Sequence, residues 1–158
     1  MEAKYKAISI GSDHGGVDAK AAIVFHLKSL GIAVNDRGTY TKDSCDYPIY
    51  AYKVAKDVAM KKADFGILIC NTGIGMEMAA NKVEGIRAAL LYNNDVARLA
   101  KEHNDANVIT FGAHYFTPEQ MIVMIDAYMK AGFLGDRHAR RVKEIGKIQE
   151  GKDPEIGK

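Results

Sequence analysis

The stretch of this sequence richest in chemistry is Cys70-Asn71-Thr72-Gly73-Ile74-Gly75. A thiolate is both a nucleophile and a base that operates near neutral pH. Glycines at 73 and 75 let the chain turn sharply and aim successive backbone N–H groups at one point, a cradle for an anion. A helix starting just beyond would add its positive end and favour the thiolate at Cys70. Taken alone, the segment fits a buried strand cysteine beside a plain tight turn equally well, and that is the commoner outcome. Asp13-His14 ahead of Gly15-Gly16 offers a carboxylate and an imidazole beside a polar ligand, or merely a helix cap. His103, next to Asn104, ends a helical stretch, where the dipole alone favours an imidazole. His114 follows Gly112-Ala113 at another strand end. Arg137 and Arg141 stand four apart, on one side of a helix, which suits two-armed capture of a phosphate; the plainer reading is a solvated basic face. His26, within an amphipathic helix, is assigned no role, and Met121, Met124 and Met129 are core filler.

The elements that must position these groups alternate. Short apolar runs at 6–10, 32–35, 65–70, 86–91 and 107–111 have strand character, the first closed by Gly11. Between them lie helical periodicities at 17–30, 49–62, 76–82 and 95–102, with a turn-rich loop at 37–48. Thr117-Pro118-Glu119 opens a helix to about 131: threonine caps, proline suits the first turn and glutamate complements the dipole. A basic helical tail runs to about 149. Strict β/α alternation predicts a doubly wound, Rossmann-like α/β fold: a parallel five-stranded sheet with helices on both faces and a C-terminal helical tail. Residues 1–150 form a single domain in this reading, with 151–158 a disordered end. In such a fold ligands bind at the carboxyl ends of strands, where Asp13, Cys70 and His114 fall.

Composition narrows the class. Hydrophobic residues at 47% and charged residues at 27% are ordinary for a globular chain. A net charge of +2 supplies no global field for nucleic acid, although basic residues gather at the C-terminal end. Two cysteines without framework spacing fit a reducing, cytoplasmic setting. No signal-peptide pattern opens the chain and no apolar run is long enough for a membrane helix. The histidines lack close ligand spacing, so no metal is expected.

Together the segments GSDHGG (11–16), RGTY (37–40), DYP (46–48), FGILICNTGIGMEMAANKVEGIRAAL (65–90), ARLAKEHNDANV (97–108) and RHARRV (137–142) resemble the ribose-5-phosphate isomerase B / galactose-6-phosphate isomerase family. The likeness covers about residues 6–148. It implies an aldose–ketose isomerase interconverting ribose 5-phosphate and ribulose 5-phosphate without a cofactor. By resemblance Cys70 is the base moving a proton between C1 and C2, and Thr72 assists it. Backbone amides of Asn71, Thr72, Gly73, Ile74 and Gly75 hold the enediolate oxygen. His103, with Asp13, opens the furanose ring, and Asn104 binds substrate oxygens. His14, Arg137 and Arg141 hold the phosphate. The resemblance also implies a homodimer, or a tetramer, whose sites are shared, with His103, Asn104 and position 114 supplied by the neighbour.

Three positions depart from the family pattern. Asn71 and His114 stand where glycine and arginine are usual, so the loop entry changes and the phosphate grip weakens. Glu77 replaces a common serine. A branch of the family uses glutamate as base, but that residue aligns with Met76; one helical residue is about 100° of rotation, so Glu77 should face away. Other substrates consistent with the sequence are a hexose 6-phosphate or a tetrose phosphate. A non-catalytic phospholigand-binding module is the reading from a different class; Cys70, Thr72, His103 and Asn104 argue against it.

Overall fold

The computed structural model of the chain describes residues 4–157. Strands β1 (Ala7–Ser12), β2 (Ala33–Asp36), β3 (Phe65–Cys70), β4 (Ala88–Leu90) and β5 (Val108–Gly112) form one sheet in the order β2-β1-β3-β5-β4. Every neighbouring pair is parallel. The helices are α1 (Val17–Ser29), α2 (Tyr47–Ala59), α3 (Ile74–Ala80), α4 (Asn94–Glu102), α5 (Pro118–Lys130) and α6 (Arg137–Gln149). The alternation of periods in the sequence therefore becomes the doubly wound sandwich it implies.

Helices α1, α4 and α5 cover one face of the sheet, packing on Ile8, Ile10, Phe65, Ile67, Ile69, Ile109 and Phe111. Helices α2 and α3 cover the other, against Leu68, Cys70 and Val108. All six residues of β3 are buried, which is why FGILIC shows no polar alternation: a central parallel strand has no wet face. Each fully buried isoleucine or phenylalanine contributes about 1.5–3 kcal/mol by leaving water, so this strand is anchored from both sides. Met121 and Met124 lie in that core, as filler.

Helices α4 and α5 start on side-chain caps. Thr117 and Gln120 form a reciprocal capping box at the start of α5, and Asn93 Oδ1 accepts from Val96 N–H at 2.7 Å to start α4. Boundaries differ from the sequence expectation at several elements. β1 runs through Gly11 to Ser12, because Gly11 and Ser12 stay in the ladder opposite Leu68 and Ile69. α2 starts at Tyr47, since Pro48 fits a first turn that needs no N–H from it. α3 starts at Ile74 and β4 spans only Ala88–Leu90. Residues 151–157 are turns folded back on α6, with Lys147 Nζ donating to the Ile156 carbonyl at 2.8 Å.

The topology sets the site. From β1 the chain moves outward to β2 and then returns to β3. The connections leaving β1 and β3 therefore diverge and open a crevice at their carboxyl ends. Helix α4 runs back against the strands, so its C-terminal end, with His103 and Asn104, lies at the opposite, amino edge.

Candidate active site

At the carboxyl edge, Cys70 is the last residue of β3 and its side chain is buried. The N–H of Gly73 donates to Cys70 Sγ at 3.1 Å. That geometry depends on Gly73, whose φ of +79° is left-handed and whose added Cβ would sit 2.8 Å from the Phe111 carbonyl carbon. Thr110 Oγ1 donates to the Gly73 carbonyl at 2.9 Å and clamps the turn to β5. Thr72 Oγ1 accepts from Ile74 N–H at 3.2 Å, which leaves the hydroxyl proton to be donated elsewhere. The ring of Tyr47 lies where a Cβ on Gly75 would be, 2.6 Å from that position, so the ring closes one wall over the loop. The loop pairs with the end of β5 as well: Ala113 and His114 N–H groups donate to the Cys70 and Asn71 carbonyls at 2.8 and 3.0 Å. His114 is thus on the same edge as Cys70 of its own chain, and it is exposed.

Asp13 is buried and its Oδ1 accepts from Gly15 N–H at 2.9 Å, capping a single 3-10 turn over residues 14–16. The carboxylate lies just beyond the carboxyl end of β1, where that strand opens onto the crevice. His14 is exposed, and its Nδ1 accepts from Cys45 N–H at 3.3 Å. Segment 37–40 runs beside the end of β1 through Ser12 N to Gly38 O and Thr39 N to Ser12 O, both 2.8 Å. Beneath it Lys20 is buried and grips Asp36 with 2.7 and 2.8 Å bonds, while its ammonium lies 4.7 Å from the Tyr40 ring centroid.

His103, Asn104, Arg137 and Arg141 form a second group. His103 is the C-cap of α4. Its ring stacks on His138 of α6, with centroids 4.1 Å apart and an 11° interplanar angle. Arg87 holds the turn that follows, donating through Nε to the Asn104 carbonyl at 3.1 Å and through Nη2 to that of Asp105 at 2.8 Å. Arg137 and Arg141 are exposed on the same α6 that carries His138. This edge is separated from Cys70 by the whole of β5: Gly112 is level with Cys70, and Val108 with Gly66. Four strand steps are roughly 13 Å. Within one chain His114 lies at the same edge as Cys70, and Arg137 and Arg141 lie on the helix that packs against His103.

Glu77 faces away from Cys70, as helical rotation requires. Its Oε1 accepts from Leu90 N–H at 3.1 Å, and Asn81 both accepts from Ala88 N–H at 2.8 Å and donates to the Ala88 carbonyl at 3.0 Å. The two side chains cap the outer edge of β4 in place of another strand. A groove of about 780 Å³ runs along this edge between α3 and α6; Asn104 lines it and Cys70 does not. Among the described residues no group of three or more histidines, cysteines or carboxylates could hold a metal ion, and no helix is long and apolar enough to cross a membrane.

A model of the "Ribose/Galactose Isomerase" family matches residues 8–145. This chain belongs to that family. Family membership makes it a sugar-phosphate isomerase, and the Cys70 edge described above falls within the matched span. Ribose-5-phosphate isomerase B of Escherichia coli (strain K12) is 43% identical over 145 residues, which is 92% of this chain and 97% of that relative. The ribose-5-phosphate isomerase B structure from Clostridium thermocellum superposes with a TM-score of 0.90 at 46% identity, covering 92% of this chain and 98% of that one. The Mycoplasma genitalium enzyme, solved with bound ribulose-5-phosphate, gives 0.88 at 41% identity, covering 91% and 96%.

Several residues at these two edges were not singled out from sequence. Lys20, Tyr47 and Arg87 act through partners 16 to 28 positions away. Tyr47 and Arg87 do lie inside family-like segments, DYP and GIRAAL, which was the available signal. Lys20 had none, since a lysine on a helix is ordinarily a solvated charge.

Proposed function

We propose that this chain interconverts ribose 5-phosphate and ribulose 5-phosphate through an enediolate, with Cys70 as the base. The observation that carries the reading is Cys70 Sγ at the carboxyl end of the central strand, accepting the Gly73 N–H at 3.1 Å beside the β1/β3 crevice. The sulfur takes the proton from C2 of the open-chain aldose and returns it at C1, while the proton of the C2 hydroxyl passes to the C1 oxygen. Negative charge grows on the former carbonyl oxygen, and amides of residues 71–75 with the Thr72 hydroxyl provide the donors that stabilise it. C1 and C2 exchange oxidation states internally, so the chemistry calls for no redox cofactor.

Ribose 5-phosphate is largely a ring, and opening it moves a proton from the anomeric hydroxyl to the ring oxygen. A histidine can give and take that proton near neutral pH, and His103, with Asp13, fills the role. Asn104 binds sugar oxygens, while His14, His114, Arg137 and Arg141 hold the phosphate. One chain carries Cys70 and His103 at opposite edges of its sheet, so the working unit is a homodimer with each site built from both subunits. Residues 1–150 act as one isomerase domain, in a cytoplasm reducing enough to keep Cys70 a thiol. The relative solved with ribulose-5-phosphate supports the pentose assignment. Exposed His114, shorter than the family's usual arginine, favours a second reading in which a tetrose or hexose phosphate is the substrate.

Isomerase assays across phosphorylated tetroses, pentoses and hexoses, with Cys70→Ala as control, test both readings. The wild type should prefer the pentose, and Cys70→Ala should fold normally yet lose turnover by about 10²–10⁴ with substrate affinity retained. A variant keeping more than about a tenth of wild-type turnover removes Cys70 from the role of base.

A further inference from the structure

Of the five histidines, His138 alone is buried, 5% exposed, and its Nε2 has no hydrogen-bond partner among the described residues. A buried imidazole nitrogen without a partner is unfavourable, and an apolar ring would fill the space without that cost. Its ring stacks on His103, face to face at 4.1 Å and 11°. Its backbone is fixed as well: the His138 N–H donates to Gly135 O at 2.9 Å in the first turn of α6. Burial first, and then the charges of His103, Arg137 and Arg141, hold this imidazole below the ordinary histidine range, against a smaller opposing effect of Asp136. Burial therefore disfavours a charge on the ring beneath His103, which lowers like-charge repulsion between the stacked rings.

A contact through the ring face does something a hydrogen bond does not. It restrains the tilt of His103 while leaving both nitrogens of His103, which lie at the ring edge, available to another molecule. We infer that His138 is a positioning residue for ring opening: its stacked face holds the His103 imidazole so that a ring nitrogen of His103 meets the sugar ring. The inference rests on the reading of His103 as the ring-opening group.

The test separates ring opening from proton transfer. Ribulose 5-phosphate carries its phosphate on the C5 oxygen that would close a furanose, so it stays open-chain. Exchange of its C1 hydrogen with D2O reports the enediolate step alone, whereas turnover of ribose 5-phosphate also requires ring opening. His138→Ala should lower kcat on ribose 5-phosphate about two- to tenfold, the worth of one aromatic face contact, and lower the exchange rate by less. The KM for ribose 5-phosphate should move less than kcat. His138→Phe, which keeps a flat ring and removes both nitrogens, should recover most of the loss. Retained exchange in His138→Ala also shows that the variant is folded and assembled. Equal loss of both rates, no loss at all, or a Phe variant as poor as the Ala variant would each overturn the inference. His103→Asn is measured in parallel. If it depresses both rates equally, the ring-opening role of His103 falls; if it is selective and His138→Ala is silent, only the stacking role falls.

Discussion

Mixing two inactive variants, Cys70→Ala and His103→Asn, should return activity that neither has alone. In the productive complex the sulfur must come within about 3.5 Å of C2, and a histidine within hydrogen-bond reach of the ring oxygen two bonds from that carbon. The two side chains must then lie within roughly 9 Å of each other. Within one chain they cannot, because Cys70 is level with Gly112 while His103 lies beyond Val108, at the far end of a strand roughly 13 Å long. A two-fold dimer that brings one carboxyl edge against its partner's amino edge solves the geometry twice. Mixed in equal amounts with free exchange, about half the dimers are heterodimers, and each has one intact site and one doubly defective site. Recovery should approach about a quarter of wild-type turnover per chain, following coupled detection of ribulose 5-phosphate. Native mass spectrometry verifies the exchange. Heterodimers present at the statistical level with no recovered turnover would refute the shared site, as would full activity in a dilute, monomeric wild type.

Arg141→Ala should raise the KM for ribose 5-phosphate about ten- to a hundredfold, from the loss of one charge-assisted contact to phosphate, and leave KM for a phosphate-free sugar unmoved. Lys20→Met removes both bonds to Asp36 beneath residues 37–40; urea titration should show an unfolding free energy lower by about 1.5–3 kcal/mol. The lowered His138 value has a defined sign: from the ordinary value of 6.5 downward the unfolded chain takes up a proton that the folded chain refuses. Stability from this group is therefore complete above about pH 6.5 and falls as the pH drops toward the folded-state value, and His138→Phe should flatten that slope in melts between about pH 7.5 and pH 5.

Much of the molecule was legible residue by residue. The period of apolar residues marks each strand and helix because it reflects geometry within one element, and Thr117-Pro118 states a helix start in its own chemistry. The run FGILIC announces a strand buried on both faces, hence a parallel sheet, and the glycine pattern after Cys70 announces a turn that aims an N–H at the sulfur. Which of the chemically capable groups share an edge was a different matter. His103 follows Cys70 by 33 positions, and nothing local says that α4 carries it down to the amino edge while β5 returns His114 to the Cys70 loop. The same holds for Arg137 and Arg141, drawn to His103 by the His138 stack, and for Glu77, whose carboxylate serves an edge strand thirteen residues on. Local propensity and spacing determine elements and caps, because those interactions act over one or two turns of chain. Strand order, register and the packing of α6 decide the site, because they are settled by burial and hydrogen bonding between segments distant in sequence.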